Sequence, residues 1–239
     1  MTLTRRDAIR ISGSTLAGLS LAKLGPDDLL AQSAPQEAWP QELVERPLRE
    51  GFPAALPLEA DGSAPEHPAS AAGSITEPYM WRYTDRQAPQ IEFDYRLMKV
   101  KVDPRGLAKM GGTLTFDDLE PLPRVSGTFL LQCGAPNPTG IVKWTGVRVS
   151  DFLDLLEPVE GAHYARFVAS DRYYVDEDIR TLRHPQVLLA WLMNDEPIPP
   201  QHGAPLRLIM PFRYGARSIK AIQEIYLGTP GLPQQPLPV

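Results

Sequence analysis

From about Tyr79 onward, apolar and polar positions alternate with a period of two in short runs, the signature of half-buried strands. The first such run, residues 93–102, is predicted as a strand. Gly111 and Gly112 then turn the chain into a short strand over 113–116, with Asp117 placed to cap a brief helical turn. Residues 125–133 read as a further strand that ends at a cysteine. Ser150 stands as N-cap before a helix over 151–156, whose apolar spacing suits packing on a sheet, and Pro158 stops it. Apolar segments follow at 165–169, 187–193, 206–210 and 219–227, with Asn194-Asp195 as a turn. The pattern predicts a mixed, β-rich α+β domain with many strands and few helices.

The first 34 residues have another character. Arg5-Arg6 precede a modestly apolar run over 11–24, rich in Gly, Ala, Ser and Leu. This is the pattern of a twin-arginine (Tat) export signal, and an amphipathic helix with two incidental arginines is the alternative. The Tat translocon exports folded proteins, so a cofactor can be inserted beforehand and the expected compartment is the periplasm. Residues 35–76, dense in Pro, Ala, Glu and Ser, are expected to form a linker or arm, 77–230 the domain, and 231–239 a tail. Subtracting signal and linker leaves about 165 residues, enough for one domain with a real core. No stretch after the signal reaches the roughly 20 apolar residues needed to cross a bilayer. A net charge of −5 and the lack of a basic, aromatic-interleaved stripe argue against a nucleic-acid partner.

Composition then singles out Cys133, the one cysteine of the chain. Exported proteins keep cysteines in pairs, because oxidising compartments convert them to disulfides, so a lone thiol is expected to be shielded or to ligate something. A second stretch carries the opposite charge: residues 207–220 hold Arg207, Arg213, Arg217 and Lys220 and no acid, within an acidic protein. Arginine offers a planar fork of donors and Gly215 permits close backbone approach, which suits a phosphate or other fixed anion; solvated loop charges are the other reading. A zinc site using Cys133 with His163, His184 or His202 has no support from histidine spacing.

Three ordered pieces carry a family resemblance: Leu131-Gln-Cys-Gly-Ala-Pro-Asn-Pro-Thr-Gly140, the Trp144-containing run 142–149 before a helix, and 188–220 with Asn194, His202, Arg207 and Gly215-Ala-Arg-Ser-Ile-Lys220. Together they resemble the molybdopterin-binding domain of the sulfite oxidase family over about 93–227. The resemblance implies a molybdenum-molybdopterin cofactor (Mo-MPT) with the Cys133 thiolate on the metal. It implies pterin and phosphate contacts from His202, Arg207, Ser218, Ile219 and Lys220, and a weaker one from Ser170. Arg217 falls near the substrate end, and either Tyr173 or Tyr174 matches a tyrosine of the sulfite-oxidising members, strand-edge packing being the other reading. Arg172 can receive an anionic substrate or pair with Asp171 or Asp176.

The loop after Cys133 lacks the basic residues of many sulfite oxidases, and segment 77–83 lacks the asparagine motif that usually touches the pterin. No immunoglobulin-like dimerisation domain and no haem motif is expected, a compact plan similar to periplasmic methionine sulfoxide reductase catalytic subunits. The expected function is two-electron oxygen-atom transfer on a small sulfur-containing substrate, by sulfite oxidation or S-oxide reduction. A separate cytochrome or membrane haem protein would carry the electrons. The alternative is a degenerate member serving as an exported binding or assembly protein.

Overall fold

The computed structural model describes residues 55–75, 81, 89–134 and 139–229. The predicted signal, half of the predicted linker, segment 77–83 apart from Trp81, the loop 135–138 and the tail lie outside the described residues. In chain order the elements are β1 (Val100–Asp103), β2 (Gly112–Leu114), α1 (Phe116–Leu119), β3 (Arg124–Gln132), β4 (Thr139–Arg148) and α2 (Val149–Leu156). There follow β5 (Tyr164–Ala169), β6 (Tyr174–Asp178), α3 (Ile179–Leu182), β7 (Leu188–Met193), β8 (Glu196–Pro197), β9 (Arg207–Ile209) and β10 (Ile222–Gly228).

Two sheets share these strands. One runs β2-β1-β10-β5-β6, with β1 and β10 parallel and the other neighbours antiparallel. The other runs β3-β4-β7-β8, with β9 also on β7, and is antiparallel throughout. β1 shows why the pattern was readable: Val100 and Val102 are buried while Lys101 faces out. β7 is the opposite case: it is central in its sheet, between β4 and the pair β8 and β9, and both of its faces are buried along nearly its whole length, so its run is continuously apolar. Trp144, Phe152 and Phe167 are sealed in the core, each worth about 1.5–3 kcal/mol of burial, more than the ~1 kcal/mol of a surface ion pair. Among the described residues no helix is long and apolar enough to cross a membrane.

Local chemistry moves several predicted boundaries. The strand predicted over 93–102 shrinks to β1, because Asp94 accepts the Arg96 N–H and starts a 3-10 turn over Tyr95–Leu97. That turn drops Tyr95 against Phe116 and Trp191, at centroid distances of 4.9 and 6.2 Å. α1 is capped by Thr115, not Asp117, through a capping box closed by Asp118. α2 begins one residue before Ser150, whose hydroxyl turns to Asp151 instead, and it ends in a left-handed Glu157 ahead of Pro158. Asn194 and Asp195 both take positive φ, 52° and 69°, forming the two-residue turn that pairs Met193 with Glu196. The chain from 219 to 221 is not strand, and β10 starts at Ile222.

Candidate functional site

Cys133 follows the last residue of β3 and is half-buried and unbridged. Against it lies the 3-10 turn Gly215–Arg217: a methyl group added to Gly215 would sit 3.5 Å from the Gln132 carbonyl oxygen and 3.6 Å from Cys133 Cα. A side chain at 215 would make ordinary van der Waals contact there, so this approach does not itself require glycine. Tyr173 fixes the turn from the other side, its hydroxyl donating to the Ala216 carbonyl at 3.0 Å. Arg217 closes it: Nε donates to Glu177 Oε1 at 2.7 Å, and the guanidinium also reaches the Asp176 carbonyl. Glu177 is only 8 % exposed on the inward face of β6, so its carboxylate depends on that cation.

Arg207 opens β9 and is 3 % exposed. Its Nη1 donates to the His202 carbonyl at 2.7 Å, its Nε to the Ser218 carbonyl at 3.3 Å, and its guanidinium lies 5.0 Å from the centre of the Trp144 ring. Burial lowers this guanidinium to about 10, an effect the Cys133 charge partly offsets. Lys220 donates to the Gln201 carbonyl and lies 4.7 Å over the ring of Trp81. Burial first, then Arg207, lower its ammonium to about 8, while Asp171 and Cys133 oppose the shift. His202 is lowered to about 4 by burial, Arg207 and Lys220, so its imidazole is neutral at pH 7. Three basic side chains thus meet in one poorly solvated place beside the cysteine.

The neighbourhood is also short of hydrogen-bond partners. Among the described residues the buried side-chain atoms without a partner belong to Trp81, Asp151, Ser170, Trp191 and His202. Three of the five gather round Lys220: Trp81 under its ammonium, His202 in the turn before Gly203, and Ser170 beside Ala221. The backbone ties them, since Ala221 N–H donates to the Gly203 carbonyl and Ser170 N–H to the Ala221 carbonyl, both at 3.0 Å. Gly203, at φ 107°, packs directly on Lys220, where a side chain would come within 2.8 Å of its Cβ. Buried polar groups are normally satisfied, so orphans concentrated beside the partly desolvated Lys220 describe a site suited to an anionic, hydrogen-bonding ligand.

The family model for the oxidoreductase molybdopterin binding domain matches residues 87–230. The chain belongs to that family. Among relatives, a proposed protein-methionine-sulfoxide reductase subunit, YedZ1, of Azospira oryzae is 29% identical over 69% of this chain and 60% of its own length. The protein-methionine-sulfoxide reductase catalytic subunit MsrP of Campylobacter jejuni is 26% identical over 62% and 55%, and that of Xanthomonas campestris 30% over 54% and 45%. This chain therefore spans about half the length of the curated relatives it matches. The sulfane dehydrogenase SoxCD of Paracoccus pantotrophus superposes with a TM-score of 0.53 over 85% of this chain and 59% of that one, at 16% identity, a likeness of fold alone.

A molybdopterin-binding domain of the sulfite oxidase family implies a molybdenum cofactor, and the residues present fit one: a half-buried thiol, the buried Arg207, the half-buried Lys220 and unsatisfied polar atoms converge. The groups available to it are Cys133 for the metal, and His202, Arg207, Lys220 and Ser170 for the pterin and its phosphate. Ser218 and Ile219 sit inside the fold. The Ser218 hydroxyl accepts the Met210 N–H and its carbonyl holds Arg207, while the Ile219 carbonyl accepts the Leu208 N–H. They set the positions of Arg207 and Lys220. Arg213 is exposed beside Phe212.

The two tyrosines part company in this domain. Tyr173 reaches the turn beside Cys133, whereas the Tyr174 ring lies under Arg166, which pairs with Asp176 on the outer face of the sheet. Asp176 is thus taken by Arg166, and Arg172 is exposed at a left-handed φ of 66°. Sequence reasoning missed Glu177 and Trp81. The alternation over 174–178 was a usable signal for Glu177, because a carboxylate on the apolar face of a strand needs a cation. Among the described residues no three His, Cys, Asp or Glu side chains are grouped to hold a metal, which leaves the zinc alternative without a donor set.

Proposed function

We propose that this chain is an exported, molybdenum-molybdopterin-dependent oxidoreductase that transfers an oxygen atom to or from a small sulfur-containing substrate. Its electrons would be exchanged with a separate haem-bearing carrier. The observation that carries the reading is the convergence of the Cys133 loop, the Gly215–Arg217 turn and the ligand-deficient ground around Lys220. Bound there, the cofactor supplies two-electron oxygen-atom transfer. Cys133 ligates the metal. Arg207 and Lys220 hold the phosphate, neutral His202 and Ser170 hydrogen-bond to the pterin, and Tyr173 keeps the turn seated against the cysteine.

The Arg217–Glu177 pair favours S-oxide reduction over sulfite oxidation. A guanidinium already neutralised by a buried carboxylate offers little to a dianion, whereas a neutral sulfoxide needs no free cation. The names of the methionine sulfoxide reductase relatives point the same way. Export to the periplasm by the Tat pathway, argued from Arg5-Arg6, accords with a folded, cofactor-loaded cargo.

The decisive experiment is molybdenum and pterin content in protein from a host with intact molybdopterin synthesis, wild type beside Cys133→Ala. Near-stoichiometric metal is expected in the wild type, with altered absorption or lost metal in a folded variant. Folded wild type carrying neither metal nor pterin would sink the proposal.

A further inference from the structure

Trp81 is 2 % exposed, and its indole nitrogen has no hydrogen-bond partner. An indole N–H only donates, so what it lacks is an acceptor. Lys220 lies 4.7 Å from the ring centre, and Ser170 and His202, the other two orphans of this region, are tied to the same lysine through Ala221 and Gly203. An acceptor that sits among Trp81, Lys220 and Arg207 is best an anion, because it satisfies the donor and offsets two desolvated charges together. Trp191 is the internal control. Its indole nitrogen is likewise buried and unpartnered, but the ring packs on Tyr95 and Phe116 with no cation against it among the described residues, which marks a core residue.

We propose that Trp81 is a cofactor-binding residue whose indole N–H donates to the phosphate end of the bound molybdopterin beside Lys220. The inference rests on the molybdopterin reading above and adds a donor from a segment where no contact was expected. It also accounts for a tryptophan under a lysine: the ring stabilises the ammonium when the anion is away, and the N–H joins it when the anion is bound.

Replacing Trp81 by its benzothienyl isostere keeps the bicyclic ring beneath Lys220 at nearly unchanged volume and deletes only the donor, whereas Trp81→Phe would also leave a cavity at this buried position. The wild type and the variant are prepared cofactor-free from a host lacking molybdopterin synthesis, and holo from a competent host. Three quantities are read: melting temperature without cofactor, affinity of the cofactor-free protein for inorganic phosphate, and the rate of pterin loss from holoenzyme. The expected result has opposite signs in the two states. The cofactor-free variant melts at or above the wild type, because an unsatisfied buried donor is gone, while phosphate binding weakens and pterin loss quickens about tenfold, equivalent to about 1.4 kcal/mol.

Equal phosphate affinity and equal pterin retention would overturn the proposal, and so would a lower melting point of the cofactor-free variant, which would mean that the indole serves the fold. A wild type that holds neither pterin nor phosphate would bring down the molybdopterin reading itself, a failure visible without the variant. If the isostere-bearing protein does not fold, Trp81→Phe is read for phosphate affinity and pterin loss alone, with the same expected and overturning results, because its smaller ring lowers the melting point by itself.

Discussion

Binding of an anion at Lys220 should take up a proton, and the amount follows from the structure. Burial and the nearby Arg207 hold the ammonium at about 8 instead of 10.5, a shift worth about 3 kcal/mol of disfavoured charging. An anion in contact reverses that penalty, so the lysine returns toward its ordinary value in the complex. At pH 9 the cofactor-free lysine is about one-tenth protonated and the anion-bound lysine almost fully so, giving an uptake of about 0.9 proton, against about 0.1 at pH 7. Phosphate is already the dianion at pH 9 and contributes nothing to the count.

Calorimetric titration of cofactor-free protein with inorganic phosphate, in two buffers of different ionisation enthalpy, reads this number directly. Lys220→Met should cut the uptake to the ~0.1 proton that Arg207, held at about 10, still takes up at pH 9. Absence of uptake at pH 9 in the wild type, or an unchanged value in the variant, would refute the placement of a desolvated lysine at the anion site. Stability follows the same linkage. The folded lysine has the lower value, so between pH 8 and 10.5 the unfolded chain binds the proton and the fold does not, and the cofactor-free protein gains stability as pH rises through that window. His202, lowered from 6.5 to about 4, adds a loss of stability as pH falls through that lower window.

Two substitutions test the scaffold. Gly146→Ala would put a Cβ 1.9 Å from the Leu189 carbonyl oxygen, so it should cost about 3 kcal/mol or more and lower the melting temperature by about 6–12 °C; an unchanged melting curve would refute the close β4–β7 approach. Arg217→Met should destabilise by about 2 kcal/mol in urea, less than a fully buried pair because Arg217 is partly exposed, and Arg217→Met with Glu177→Gln should recover part of that loss; a single variant within about 0.5 kcal/mol of wild type would show that Glu177 does not depend on the arginine.

The strands were legible where one face is buried and the other wet. β1, β3 and β5 carry that alternation or a clear apolar run, and Asn194-Asp195 announced its turn by residue type. What misled was local hydrogen bonding that competes with the ladder. Asp94 could not be told from any strand-edge aspartate, yet its bond to Arg96 N–H turns half of the predicted first strand into a 3-10 turn. Thr115 outbid Asp117 as a cap because Asp118, three residues on, completes a box that Asp117 cannot form.

The site divides along the same line, between identity and pairing. Cys133, His202, Arg207 and Lys220 stood out by residue type and order, and the fold brings their segments together. Their electrostatic state was not legible, because it depends on contacts across long sequence intervals: Glu177 meets Arg217 from β6, and Trp81 meets Lys220 from before the first strand. Counting charges along 207–220 made four equivalent cations. In the fold they separate into a neutralised one at Glu177, a solvated one at Arg213, the buried Arg207 and the half-buried Lys220, both of which stay charged at neutral pH. The last two are the desolvated cations of the stretch, and the unsatisfied indole, hydroxyl and imidazole lie round the lysine. A positively charged stretch becomes an argument for an anion site when charge and missing hydrogen bonds fall in the same place, and here they do.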